Sequence, residues 1–109
     1  MGKPEGKIET YLRKQAEKIG YLCLKFTSPA NNGVPDRIVI GDNLTVFIEL
    51  KAPGEEPRPL QRRVINNMIQ RGAYVYVIDN KKDIDKLLSN MQNHKLPKPQ
   101  KLKIKKIKL

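Results

Sequence analysis

The sequence feature that most constrains the fold is a pair of apolar runs separated by a short polar turn. Residues 36–40 and 44–50 are rich in β-branched and aromatic residues, and the turn 41–43 has the sequence Gly-Asp-Asn. Two such runs joined by a turn of this composition are typical of a β-hairpin. If the loop consists of the Asp and the Asn alone, Gly41 faces Leu44, and every pair further from the turn follows from that register.

The far end of this hairpin carries charged residues. In the two-residue register Asp36 faces Glu49, so their Cβ atoms are about 4.5–5.5 Å apart on one face of the sheet. Lys51, two residues beyond Glu49, projects from the same face. A three-residue loop would instead place the two acids on opposite faces. The even register therefore predicts two carboxylates and one ammonium group at one point of the sheet edge.

Two neighbouring carboxylates need a physical reason. At about 5 Å and an effective dielectric constant near 20 they repel by roughly 3 kcal/mol. A divalent cation reverses the sign, and carboxylate oxygens with retained water are the ligands that Mg²⁺ prefers. A lysine beside such a site can hold a phosphate oxygen or stabilise an attacking hydroxide, which indicates phosphodiester hydrolysis. The alternative is that Asp36 and Glu49 are ordinary strand-end residues, paired in solvent with Arg37 or Lys51.

Periodicity and turn residues predict the other helices and strands. In chain order we expect helix 5–19, strand 21–27, strands 36–40 and 44–50, a helix from Pro59 that ends at Gly72, strand 73–78, and a helix capped by Asp79 or Asn80. The order α-β-β-β-α-β-α predicts an α/β fold in which helices flank a small mixed β-sheet. The third and fourth strands are expected to be parallel, because a helix connects them.

Length and cysteine content limit the class of protein. A chain of 109 residues can bury a core as one domain without a disulfide or a structural metal. The single Cys23 cannot pair within the chain, and with His94 alone it offers no zinc-ligand spacing, which favours a reducing compartment. The sequence has no signal-peptide pattern and no run of about 18 apolar residues, so we expect a soluble, cytoplasmic protein without a membrane span.

The positive charge is concentrated near the C-terminus. The chain has 22 Lys and Arg against 11 Asp and Glu, a formal net charge of +11, which favours a polyanionic partner such as nucleic acid. Residues 95–109 hold seven lysines and no acid. We therefore divide the chain into a domain at 1–94 and a basic tail at 95–109. The tail is predicted to be either a solvated arm or a strand that uses the alternation of Leu102 and Ile104.

Four short motifs occur in order along the chain. They are Gly-Val-Pro-Asp-Arg at 33–37, Ile-Glu-Leu-Lys-Ala at 48–52, Pro-Leu-Gln at 59–61 and Gly-Ala-Tyr-Val at 72–75. In this order and spacing they resemble the VRR-NUC domain, a branch of the PD-(D/E)XK nuclease superfamily. The resemblance implies a restriction-endonuclease-like fold, dependence on Mg²⁺ or Mn²⁺, and structure-directed cleavage of DNA. Stand-alone members of this size are similar to viral or bacterial enzymes that form homodimers and act on Holliday junctions, whereas fused versions trim flaps.

The resemblance also implies roles for individual residues. Asp36 and Glu49 would be metal ligands, Lys51 the catalytic lysine, and Gln61 the residue that orients the phosphate or the water. From sequence alone, Gln61 is otherwise an exposed polar residue at the start of its helix.

Further metal ligands implied by the resemblance lie outside the hairpin pair. Glu9 on the first helix matches an acid that completes the metal site, with Glu5 as a second choice. The backbone carbonyl of Leu50 is a further ligand. On periodicity alone, Glu9 is only the polar neighbour of Ile8.

Arginines are the predicted DNA contacts. We expect Arg37, Arg62 and Arg63 to contact phosphates, and Arg62 and Arg63 are favoured because they follow Gln61 on the polar side of the helix. The sequence has few aromatic residues and no base-reading element, so recognition is expected to follow DNA shape and charge.

Together these patterns predict a Mg²⁺-dependent, structure-directed DNA endonuclease that hydrolyses phosphodiester bonds in branched DNA such as Holliday junctions, as a homodimer. The alternatives are a monomeric flap or nicking nuclease, and a non-catalytic basic nucleic-acid-binding protein whose tail makes the main contact. The set of Asp36, Glu49 and Lys51 favours an enzyme, because a protein that only binds gains nothing from two acids where it meets phosphate.

Overall fold

The computed structural model describes residues 4–103, with side chains from residue 6 onward. These residues form three α-helices and four β-strands: α1 (Pro4–Lys18), β1 (Leu22–Lys25), β2 (Arg37–Gly41), β3 (Leu44–Leu50), α2 (Pro59–Gln70), β4 (Tyr74–Ile78) and α3 (Lys81–Gln92). The predicted order of elements is confirmed. Strand β1 is shorter than the predicted run 21–27, because the N–H of Tyr21 bonds to Ala16 at the end of α1 and not to a neighbouring strand.

The four strands form one mixed sheet in the order β1-β2-β3-β4. Strand β2 is antiparallel to both β1 and β3, whereas β4 is parallel to β3. Helix α2 connects the two parallel strands, as predicted for a crossover. The fold is therefore α/β, and the carboxyl ends of β3 and β4 lie at the same edge of the sheet.

A tight turn fixes the register of β2 against β3. Asp42 and Asn43 have φ angles of 49° and 63°, which is the backbone that a two-residue type I′ turn requires. Gly41 accordingly pairs with Leu44, and the ladder continues to Arg37, which pairs with Ile48. The even register predicted from the sequence is confirmed, and the next pair beyond the ladder is Asp36 opposite Glu49.

Tyr21 covers this turn. Its ring packs on Gly41 so closely that a Cβ atom there would overlap ring atoms, and its hydroxyl donates a hydrogen bond to the Asp42 carboxylate. Burial, together with this bond and the negative charge of Asp42, raises the pKa of Tyr21 to about 12. Tyr21 therefore packs the chain after α1 onto the turn that sets the hairpin register.

The main core lies between one face of the sheet and two helices. Helices α1 and α3 contact each other there, and alternate residues of the strands point toward them. Its fully buried members include Leu12, Val39, Val46, Ile48, Ile84 and Met91. Helix α2 packs against β4 on the other face, where Ile65 and Val75 are buried. The sheet is thus covered on both sides next to the edge where β3 ends.

Residues 95–103 form neither a helix nor a strand. They lie against β4 and α2: the Tyr76 hydroxyl donates to the Pro97 carbonyl, and the Asn66 side chain bonds to the Leu102 backbone. The described part of the tail is therefore not a solvated arm, and Leu102 lies in no strand. Ile104 lies outside the described residues, and the division of the chain at residue 94 stays a prediction.

Within residues 4–103, no helix has the length and apolar character needed to cross a membrane.

We expect Gly41→Ala to lower the free energy of unfolding by about 1–3 kcal/mol, because the added methyl group must displace the Tyr21 ring. Urea unfolding followed by circular dichroism measures this change. Gly6→Ala on α1 is the matched control: it adds the same methyl group with no atom within 4 Å and should stabilise the helix by up to about 1 kcal/mol. Equal effects of the two substitutions would contradict the packing role of Gly41.

Candidate active site

The predicted catalytic residues lie at the edge of the sheet where β2 begins and β3 ends. Asp36 immediately precedes β2, Glu49 is the penultimate residue of β3, and Lys51 follows that strand. The Leu50 N–H donates to Asp36 Oδ1 at 3.2 Å, which joins the start of one strand to the end of the other. All three charged residues line one open cleft. The hairpin register therefore brings together residues that are up to 15 positions apart in the sequence.

Three of the side chains at this edge form a closed set of polar contacts. Lys51 Nζ lies 3.2 Å from Glu49 Oε2 and donates to Gln61 Oε1 at 2.9 Å. Gln61 Nε2 in turn donates to Glu49 Oε2 at 3.0 Å. Glu49 is only 3% exposed, so its carboxylate is fixed by two donors in a largely dry environment.

Gln61 also organises the start of α2. Its Oε1 accepts a second hydrogen bond, 2.9 Å long, from the N–H of Arg58, the residue that precedes the helix. This bond resembles half of a capping box, in which a side chain in the first turn satisfies the N–H before the helix. Gln61 is 7% exposed, so it is not the exposed helix residue of the alternative interpretation. One amide group therefore fixes both the helix start and the Lys51–Glu49 pair.

The loop between β1 and β2 forms the opposite wall of the cleft, which has a volume of about 710 Å³. Gly33 in this loop has a φ angle of +103°, and a Cβ atom there would lie 3.2 Å from the Leu60 carbonyl and 3.3 Å from the Gln61 backbone. Glycine therefore lets the loop approach the first turn of α2.

Folding disfavours the charged form of both carboxyl groups, those of Asp36 and Glu49. Burial is the main cause that raises the pKa of Asp36, although the Leu50 N–H and the charge of Arg37 oppose it. Burial also raises the pKa of Glu49, and the Asp36 carboxylate raises it further, whereas Lys51 acts in the opposite direction. Negative charge at this edge is thus only partly compensated by the protein.

The donor set fits Mg²⁺. Two carboxylates, of Asp36 and Glu49, line an open cleft that has room for water, and Mg²⁺ is commonly bound by one or two carboxylates while it keeps several waters. Across residues 4–103, no group of three or more His, Cys, Asp or Glu side chains is placed to hold a metal ion. The arrangement therefore suits a hard, partly hydrated dication better than a closed zinc site.

Comparison with known proteins identifies the family. A scan against models of protein families finds no match. The chain is 40% identical over 85 residues to "Putative nuclease p44" of Acyrthosiphon pisum secondary endosymbiont phage 1, and the match covers 77% of this chain and 90% of that protein. A solved structure described as "VRR_NUC domain" superposes with a TM-score of 0.75 at 30% identity, over 81% of this chain and 97% of that one. The chain belongs to the VRR-NUC nuclease family.

The comparisons confirm the resemblance that the motifs indicated. They also confirm the α/β fold, because the VRR_NUC structure matches nearly its whole length to this chain. The catalytic roles of Asp36, Glu49, Lys51 and Gln61 stay predictions for this VRR-NUC chain, although the fold brings all four residues to one cleft.

Arg37 and Glu9, a predicted DNA contact and a predicted metal ligand, pair with each other within the protein. Arg37 is 6% exposed; its guanidinium pairs with the Glu9 carboxylate and donates to the Asp36 carbonyl at 2.9 Å. Little of this arginine is exposed, and the predicted DNA contact at Arg37 stays a prediction. Within the protein, Arg37 ties α1 to the strand end that carries Asp36.

Glu9 therefore has an internal partner, and among the described residues it does not complete a group of three side chains placed to hold a metal ion. It lines a second cavity together with Asp36 and Leu50, and Arg37 neutralises its charge. A metal-binding role for Glu9 or for the Leu50 carbonyl stays a prediction. The side chain of Glu5 lies outside the described residues.

Arg62 and Arg63, the other predicted DNA contacts, differ in their surroundings. Arg62 is held by the protein: its guanidinium donates to the Pro57 carbonyl at 2.8 Å, to Glu56 at 2.6 Å and to the Lys103 carbonyl at 2.5 Å. Arg63 is exposed on α2. Of the two, Arg63 is therefore the more accessible, and a DNA contact at either arginine stays a prediction.

Sequence reasoning missed the contacts that α2 makes with the tail. Asn66, one turn after Arg62, bonds to both backbone groups of Leu102, and Gln70 accepts from Lys101. The available signal was a polar stripe at a spacing of four residues, Arg62-Asn66-Gln70, which lies on one face of a helix.

We expect Asp36→Asn to stabilise the protein at pH 7 in EDTA, because it removes a charge that burial disfavours and keeps the acceptor for the Leu50 N–H. An acid whose pKa is raised by folding is more favourable when protonated, so its unfavourable contribution declines as pH falls toward its ordinary pKa of about 4. The advantage of the variant should therefore be largest near pH 7 and disappear below about pH 4. Thermal unfolding between pH 4 and pH 8 measures this difference.

Asn43→Asp, at an exposed turn position, is the control for a general effect of charge, because it should show no comparable gain. A variant Asp36→Asn that is less stable than the parent chain at pH 7 would mean that the Leu50 N–H and Arg37 outweigh the cost of burial.

Proposed function

We propose that this VRR-NUC nuclease is a Mg²⁺-dependent DNA endonuclease that hydrolyses phosphodiester bonds at branched structures such as four-way junctions. The observation that carries the proposal is the placement of Asp36 in the same cleft as the linked side chains of Glu49, Lys51 and Gln61. A structural role alone does not account for this set, because burial disfavours both carboxylates.

Each residue has a separate task in this proposal. Asp36 and Glu49 bind Mg²⁺, and Mn²⁺ is expected to substitute for it. The bound ion supplies positive charge and Lewis acidity at the scissile phosphate. Lys51 directs its ammonium group at the phosphate or the attacking water, and Gln61 fixes the orientation of that ammonium group through the 2.9 Å hydrogen bond.

The bond changes are those of hydrolysis. A water oxygen attacks phosphorus and the water gives up a proton, a P–O bond of the DNA backbone breaks, and the leaving oxygen gains a proton. Charge on the phosphate increases during the attack, so a fixed cation such as Lys51 stabilises the transition state more than the ground state. The largely buried environment of the Lys51–Glu49 pair strengthens this effect, because little water screens it.

Substrate recognition is proposed to follow charge and shape. The chain carries a net charge of +11, and only 6% of its residues are aromatic, which favours contacts with the phosphate backbone over base stacking. The printed name of the phage relative supports nuclease activity, and the choice of branched DNA rests on the family resemblance of its motifs.

The proposal is tested with a labelled four-way junction, a flap, a nicked duplex and a linear duplex, each incubated with Mg²⁺. We expect the junction to be cut fastest and EDTA to stop the reaction. Lys51→Ala should lower the cleavage rate by at least about 100-fold and leave the Kd for DNA within about twofold, since removal of one transition-state contact costs that much. Lys14→Ala, at an exposed position on α1, is the matched control and should cut normally.

Cleavage that continues in EDTA, or in Asp36→Asn and Glu49→Gln, would refute the metal site. Thermal unfolding separates loss of metal binding from loss of the fold: Mg²⁺ should raise the Tm of the parent chain but not that of Asp36→Asn. If the flap or the nicked duplex is cut faster than the junction, the proposed active site is supported but the proposed substrate is wrong.

We also propose that the active form is a homodimer. A four-way junction is resolved by paired cuts on two strands, and a twofold-symmetric dimer supplies two identical sites in the required relation. Light scattering after gel filtration should give twice the chain mass of 12.5 kDa. A monomeric mass at micromolar concentration, together with single uncoordinated cuts, would refute the dimer.

A further inference from the structure

The described part of the tail is docked on the protein at defined points. We call residues 95–103 the docked segment. It starts after α3, where Leu96 packs against the main core, and passes β4, where Pro97 accepts a hydrogen bond from Tyr76. Its path is thus fixed by packing before it reaches α2.

Three polar residues of α2 then bind three successive residues of the docked segment. Lys101 Nζ donates to Gln70 at 3.1 Å, and the Lys103 carbonyl accepts from Arg62. Between them, the Asn66 side chain accepts from the Leu102 N–H at 2.7 Å and donates to its carbonyl at 2.9 Å. An amide that pairs with both backbone groups of one residue fixes the direction of the chain.

That direction leads toward the cleft. Residue numbers rise along the docked segment from 101 to 103 while they fall along α2 from Gln70 to Arg62, so the segment runs toward the first turn of the helix. That turn contains Gln61 and follows Arg58, both of which line the cleft. Arg62 also bonds to Glu56 and Pro57 just before the helix. The described end of the docked segment therefore lies against the helical turn next to Gln61.

The charge of the docked segment has one sign. It contains four lysines and no acid, and all four are exposed: Lys95, Lys98, Lys101 and Lys103. Arg58 and Arg63 are exposed on the same stretch of α2 and its preceding loop. Glu56 also lies beside Arg62, and its negative charge is paired with that arginine in a salt bridge. Exposed cations on a segment whose backbone is held against α2 are suited to contact the negatively charged backbone of DNA.

We propose that the docked segment is a DNA-binding element that holds backbone phosphates beside the cleft, with Arg62 and Asn66 as positioning residues. This inference rests on the proposed nuclease function and names the surface that carries its substrate. The uncharged Asn66 contributes by holding the lysines in place. Arg62 acts through the segment and not by direct contact with a phosphate.

The test measures DNA binding without cleavage. Fluorescence anisotropy with a labelled four-way junction, in EDTA and in the Asp36→Asn background, gives Kd over a series of salt concentrations. The double variant Lys101→Gln, Lys103→Gln should weaken binding at least about fivefold and reduce the slope of log K against log salt by up to roughly 2, since each phosphate contact contributes about 0.9. Lys14→Gln, Lys18→Gln on α1 removes the same charge from exposed positions elsewhere and should change the slope by much less.

Asn66→Ala is the decisive variant, because it removes no charge. It should weaken binding and reduce the salt slope, and its effect should not add to that of the lysine pair, since both act through the same element. Asn67→Ala, at the neighbouring exposed position, is the matched control and should bind as the parent does. Thermal unfolding of each variant ensures that only folded proteins are compared.

Two outcomes would overturn the inference. Equal loss of affinity in the two double-lysine variants would mean that the segment adds only diffuse charge, and an unchanged salt slope in Asn66→Ala would mean that docking is irrelevant to binding. This experiment also distinguishes failure of the nuclease proposal. If the parent chain cuts no DNA but Asn66→Ala still binds DNA more weakly than the parent does, the binding element is supported and the nuclease function is refuted.

Discussion

The position of the candidate active site depends on one backbone constraint, the type I′ turn at Asp42 and Asn43, because this turn sets the register of the hairpin. Its two left-handed residues fix a two-residue loop, and Tyr21 packs over Gly41 beside it. A slip of one residue would turn Glu49 toward the opposite face of the sheet and separate it from Asp36. The chemistry at the far end of the hairpin thus depends on backbone geometry about five residue pairs away.

The site combines a destabilising pair with a stabilising frame. Burial disfavours the charges of Asp36 and Glu49, and a protein selected only for stability would avoid such a pair. Lys51 and Gln61 offset part of this cost by direct contact with Glu49. The remaining negative charge faces an open cleft, where a hydrated dication can compensate it. The groups are held in place before any ligand arrives, which is the arrangement that electrostatic catalysis requires.

Local patterns predicted the elements and the meeting of the two acids, because a hairpin register depends on a few adjacent residues. Gln61 was singled out by family resemblance, since nothing in the helical periodicity marks it as buried. The Arg37–Glu9 pair and the docking of residues 101–103 on α2 were not predicted. Both join segments far apart in the sequence, and a charged residue looks the same in a sequence whether its partner is a phosphate, water or another side chain. The stripe Arg62-Asn66-Gln70 indicated a polar helix face, but it did not indicate which segment of the chain binds there.

Gln61 couples the stability of the first turn of α2 to the position of the Lys51 side chain. Its single side-chain oxygen serves the N–H of Arg58 and the ammonium group of Lys51 at once. Fraying of the first turn of α2 would therefore break the hydrogen bond between Lys51 and Gln61 while the sheet is still intact. In the proposed mechanism, heat or denaturant that frays this one turn would therefore lower the activity before the sheet unfolds.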